Sequence, residues 1–125
     1  MNITPFDPHA ATTWARIGVS LVWLAFGFGA KVLRLVPRHE RIVARILGPG
    51  PAPVLTRLIG IGEMLVGVWF LTGIELAVCA LFQTLIVATM NAIELARARD
   101  LLLAPVPMVV GNTALLGLAW YGALG

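Results

Sequence analysis

Apolar residues in this chain do not alternate with polar ones; they fall in four long blocks, residues 14–35, 54–73, 76–96 and 101–124, joined by short polar or Gly/Pro-rich connections. Each block is about twenty residues long, the length a helix needs to cross roughly 30 Å of hydrocarbon. A span surrounded by lipid must satisfy its own backbone amides. A barrel strand would do so with about ten residues of alternating polarity, a pattern these blocks lack. The predicted fold is all-α: a single domain over residues 1–125 built as a transmembrane four-helix bundle.

A fifth element differs in kind. From Arg38 to Leu47 the chain sets Ile42, Val43, Ile46 and Leu47 against Arg38, His39, Arg41 and Arg45, an amphipathic helix too short to span. Pro37 suits its first turn and Gly48-Pro49-Gly50-Pro51 ends it, so a short interfacial helix is expected between the first two spans, lying in the headgroup layer. His39 and Glu40 on this helix are candidate interfacial residues, though a basic loop that only fixes topology reads equally from the pattern.

Composition agrees with lipid as the solvent. Of 125 residues 59% are apolar and 12% charged, with a mean hydropathy of +0.92; soluble domains carry about twice that charge. Placing the charges is more informative than their sum of +3. Lys31, Arg34, Arg38, Arg41, Arg45 and Arg57 flank the first connection and Arg97 and Arg99 the third, leaving only Arg16 for the other side. Basic residues near helix ends are retained in the cytoplasm. The expectation is therefore a multi-pass protein of the inner (cytoplasmic) membrane with both termini extracytoplasmic. The first ten residues hold Asp7 and no Lys or Arg, unlike the basic start of a cleaved signal peptide, so the first span is expected to belong to the mature fold.

Against this apolar background the polar residues inside the spans stand out. Glu63 and Asn112 lie near the middle of their helices; Gln83, Asn91 and Glu94 fall within about 80° of one face of the third span. A charged residue at the bilayer centre costs about 2.5–3.5 kcal/mol on insertion scales, and such residues face a bundle interior or a wet cavity. Glu63, Asn91, Glu94 and Asn112 are the candidate ligand-binding set. Glu63 is too deep to reach the interface, so it is expected either to be neutral or to meet a cation or amide of another helix, Asn112 or Arg57 among them. At the cytoplasmic end, Lys31 or Arg57 is expected to pair with Glu94. Small residues at Ala25 and Gly29, Gly60 and Gly67, Ala88, Ala92 and Ala96, and Ala119 and Ala123 would let helices approach closely, with enough left over for a homodimer.

The strings LVWLAFGFGAKVLRLVP (21–37), HERIVARILG (39–48), LTRLIGIGEMLVGVWFLTGI (55–74) and MNAIELARARDLLL (90–103) together resemble the DoxX-like family of small four-helix membrane proteins. The correspondence covers nearly the whole chain and is closest at Lys31 and Pro37, His39 and Glu40, Gly60 to Glu63, and Asn91 with Glu94. Such a resemblance implies a redox association, through a membrane subunit of a thiosulfate:quinone oxidoreductase, thiol or oxidative-stress complexes, or fusion to NAD-dependent short-chain proteins. Fold-level likeness is a weak warrant for function.

The residues themselves narrow that implication. Cys79 is the single cysteine, so no disulfide can cycle within the chain, and it reads as a small packing residue. His9 and His39 are the only histidines and fall on opposite sides of the membrane by the charge rule. Glu63, Glu94 and His39 differ in depth by several helical turns, so neither haem nor a metal centre is expected. No phosphate-binding glycine loop, hydrolase nucleophile motif or basic-aromatic pattern for nucleic acid is present. Three function classes remain open: an accessory or anchor component of a quinone- or thiol-linked redox system, with a redox partner subunit and a quinone as the candidate cofactor; a proton-coupled small-molecule transporter; and a non-catalytic assembly factor.

Overall fold

The computed structural model of the chain describes residues 10–33 and 35–125; the expectations placed on Asp7, His9 and Arg34 lie outside them. Among the described residues every regular element is helical. Helix α1 (Ala11–Leu24) runs on without a break into a π-helical segment (Ala25–Val32), followed by α2 (Pro37–Leu47), α3 (Ala52–Thr72), α4 (Leu76–Arg97), a 3₁₀ turn (Arg99–Leu101) and α5 (Pro105–Leu124). Four of these rods are long and apolar enough to cross a membrane.

Local chemistry explains the boundaries. Pro37, the Ala52-Pro53 pair and Pro105 occupy first turns, where a missing amide proton is no loss. The last block was expected to be helical from Leu101, but Ala104 precedes a proline and is driven to extended geometry (φ −151°, ψ 90°), which delays α5 to Pro105. Between α3 and α4 the chain turns through two left-handed residues, Gly73 (φ 77°) and Glu75 (φ 48°). The Trp69 indole, donating to the Ile74 carbonyl at 2.8 Å, pins that turn.

The spans form a ring in which α1 lies between α3 and α5, and α4 closes the circuit from α5 back to α3. Glycine sets the closest approach. A Cβ at Gly27 would collide with the Gly60 carbonyl, and one at Gly60 would stand 2.5 Å from the Gly27 carbonyl and 2.8 Å from Lys31 Cβ. Seven residues along each helix, Gly67 meets the Ser20 carbonyl in the same way, at 3.0 Å. Gly60 and Gly67 thus act as the small-residue spacing predicts, and they meet Gly27 and Ser20 on the first span. Ala88, Ala92 and Ala96 are exposed and take no part in packing within the chain.

The apolar core occupies one half of the bundle, where Val19, Trp23, Phe70, Cys79 and Ala119 pack together. Gln83, fully buried there, accepts from the Trp23 indole at 3.0 Å and donates to Cys79 Sγ at 3.5 Å. At the other end α2 turns Ile42 and Val43 inward against the bundle, so the apolar face expected to rest in headgroups covers protein instead. Arg45 on α2 grips Asp100 in the 3₁₀ turn through two bonds of 2.7 and 3.0 Å, fastening α2 to the α4–α5 connection.

Candidate functional site

The end of the bundle that α2 covers is hollow. A cavity of about 610 Å³ lies among α1, α3, α4 and α5, with α2 and the stretch before α5 beneath it. That volume is within the range of small-molecule sites, and far above the water-sized voids left by ordinary packing. Glu63, Asn91, Glu94 and Asn112 all line it, as do Lys31, Arg38 and His39. The remaining walls are apolar: Val22, Phe26, Met90, Met108 and Leu115 are typical of them.

Lys31 and Glu63 form the deepest polar contact. The ammonium lies 2.8 Å from Oε1 and 2.9 Å from Oε2, and both residues are buried. This corrects the expected pairing of Lys31 or Arg57 with Glu94; for Glu63 it realises the alternative of a cation from another helix, and that cation is Lys31, not Arg57. The cause is local. In the π-helical segment the backbone bonds reach five residues back, as in Leu33 N–H to Phe28 O at 2.9 Å, so side chains there fall off the 3.6-residue period. The Gly27–Gly60 approach then sets Lys31 Cβ beside Gly60, one turn from Glu63. Lys31 reaches inward instead of snorkelling out.

Arg57 is exposed, is not on the lining of this cavity and, among the described residues, makes no ion pair. Glu94 is half-buried on the cavity wall, close enough to feel the charges of Lys31, Glu63 and Arg38. Asn112 donates to Asn91 Oδ1 at 2.9 Å, tying α5 to α4. The polar stripe of α4 therefore divides, with Gln83 committed to the packed half and Asn91 and Glu94 to the cavity.

On α2 the two interfacial candidates separate. His39 lines the large cavity, its ring stacked on Phe26 with centroids 6.3 Å apart and planes 17° from parallel. Burial, with Lys31 and Arg38 nearby, pushes its pKa down to about 4, so the imidazole is neutral at pH 7. Its Nδ1 is buried and lacks a hydrogen-bond partner. Glu40 instead lines a smaller space of about 270 Å³ behind α2, with Thr56. Sequence reasoning missed Arg38 and Phe26 as wall residues. It also missed the Lys31–Glu63 pair, although a glycine one turn from each charge, Gly27 and Gly60, is the signal that the two helices touch there.

The sequence profile of the DoxX-like family matches residues 20–120. The chain belongs to the DoxX-like family. The match takes in α2, α3 and α4 whole, the end of α1 and most of α5, together with the cavity lining and each candidate residue named above, so this DoxX-like chain carries its polar site within the family region. Together with the four spans, it is a membrane protein whose apolar outer faces fit a bilayer. No curated protein and no solved structure matches the chain.

Proposed function

We propose that this DoxX-like protein is one membrane domain that binds a hydrophobic small molecule with a polar head in the cavity beside Glu63. In this reading it serves as an accessory or anchor component of a quinone- or thiol-linked redox system in the inner membrane. The observation that carries the reading is the cavity itself: about 610 Å³, apolar on most of its wall and polar at Lys31, Glu63, Asn91, Glu94 and Asn112. A flat ring with hydrogen-bonding oxygens, as in a quinone, suits such walls. In the other half, Val19, Trp23, Phe70, Cys79 and Ala119 pack together at the centre of the bundle, which favours binding over passage. With Cys79 buried, electrons come from a partner subunit, for which the exposed face of α4 leaves room.

The basic residues of α2 and of the α4–α5 connection support a topology with that end in the cytoplasm and both termini outside. Cysteines replacing Arg41 and Arg99 are expected to react with an impermeant reagent only from the cytoplasmic side, and one replacing Glu75 only from the other. The binding test is a thermal melt of the purified chain with a decyl-substituted benzoquinone. A saturable rise in Tm that Glu94→Gln and Asn91→Ala diminish is expected; an unchanged Tm at saturating quinone would defeat the reading.

A further inference from the structure

The walls of the cavity are uneven, and the unevenness has a source. At the packed end α1 and α5 are in close contact: a Cβ on Gly122 would stand 3.3 Å from both the Thr12 carbonyl and the Arg16 amide, and Val19 packs with Ala119. At the cavity end the continuation of α1 is drawn onto α3 by the Gly27–Gly60 approach and packs on α3 and α2. The two helices are thereby parted on one side, Val22 and Phe26 facing Met108 and Gly111 across the cavity. Phe26 is 51% exposed there. Gly111 is exposed as well, and nothing lies within 4 Å of where its Cβ would be. Both residues lie within helices long and apolar enough to cross a membrane.

The polar lining constrains the head of whatever enters. In formal charge, Lys31 and Arg38 on the lining are matched by Glu63 and Glu94, so neither sign is in excess. A charged head would be left without a counter-ion in a dry site. The buried Nδ1 of His39, held by the stack on Phe26, is an unfilled hydrogen-bonding position on the same wall. We propose that an uncharged amphiphile dissolved in the bilayer enters the cavity sideways between Phe26 and Gly111, and that its polar head is held by His39. The proposal rests on the binding reading above and adds to it the route, the charge class of the ligand and the residue that reads its head.

The test uses the full chain in phosphatidylcholine nanodiscs, with Trp14, Trp69 and Trp120 replaced by Phe so that Trp23, on the cavity wall, is the sole tryptophan and is excited selectively over Tyr121. The probes are a decyl benzoquinone in the bilayer and a water-soluble benzoquinone sulfonate. Saturable quenching by the decyl compound, little by the sulfonate, and weakening by about tenfold in both Gly111→Phe and His39→Ala are expected. Gly111→Phe adds its ring to open space, so an unchanged melting temperature separates a blocked entrance from a damaged fold. Quenching by the decyl compound that Gly111→Phe leaves intact, with equal quenching by the sulfonate, would overturn lateral entry while sparing the binding reading. Quenching equal in wild type and His39→Ala would overturn the role of His39. Absence of saturable quenching in the wild type would defeat both readings together.

Discussion

The two halves of this bundle are built from the same four helices and filled in opposite ways. Toward the Gly73–Glu75 turn, Val19, Trp23, Phe70, Cys79 and Ala119 meet in a dry core whose buried amide, Gln83, has partners on both sides. Toward α2, the same helices enclose a space edged by an ion pair, a bonded asparagine pair and an unpartnered imidazole. Lipid surrounds both ends, so hydrophobicity alone does not distinguish them. What differs is the size of the inward residues. Where Trp and Phe point inward the centre is solid; where Gly and Asn stand at facing positions, the backbone of α1 is pulled to one side and a cavity remains. In a membrane, where packing replaces the hydrophobic drive between helices, holding that space open requires polar contacts along its edge.

The sharpest way to break this contrast is a pair of truncations. Phe70→Ala, in the solid half, is expected to cost about 3–5 kcal/mol, because the ring leaves a void that cannot collapse. Met108→Ala, on the cavity wall, should cost under about 1 kcal/mol. Equal losses in reversible detergent unfolding would mean that the two ends are packed alike. Next in size is the ion pair. Lys31→Met strands a buried carboxylate and is expected to cost about 3 kcal/mol, with much of the loss recovered when Glu63→Leu is added. Additive losses would show that the two side chains do not depend on each other.

The glycine contact ranks below these. Gly60→Ala, facing a backbone carbonyl, should cost about 1–3 kcal/mol, whereas Gly62→Ala, with open space around it, should be neutral or slightly stabilising. Similar melting temperatures for the two would detach the bend of α1 from that contact. The smallest effect is a pH slope. His39 has its pKa lowered from 6.5 to about 4 in the fold, so the unfolded chain binds the extra proton between those values. Stability is therefore complete above about pH 6.5 and declines as pH falls toward 4, and His39→Phe should flatten that decline. A wild-type melt that stays level from pH 7 to 4 would remove the neutral imidazole from the cavity.

Much of this was legible in the chain. Apolar blocks of spanning length gave the helices, and the prolines and Gly48 marked their ends because those residues act through their own backbone. Glu63, Asn91, Glu94 and Asn112 were recognisable because an amide or carboxyl in a span has few other places to go. The partner of Lys31 was not legible. Its placement depends on a departure from the 3.6-residue period within Ala25–Val32, and helical arithmetic presumes that period. The role of α2 was likewise hidden, since an amphipathic pattern does not say whether its apolar face covers lipid or protein.

The π-helical segment has a consequence for how this protein tolerates change. Wider turns consume more residues for the same rise, so the stretch from Ala25 to Val32 holds chain that a regular helix would not need. Deleting one residue there, Phe28 for example, would let a regular α-helix close while leaving Lys31 at nearly the same angle around the axis, still facing Glu63. No side chain of the ion pair would have been touched. The wide turns thus hold about one spare residue, and the ion pair at the cavity edge is insulated from its loss. A deletion in the regular turns of α3 before Glu63 has no such reserve, and would turn the carboxylate about 100° away from Lys31.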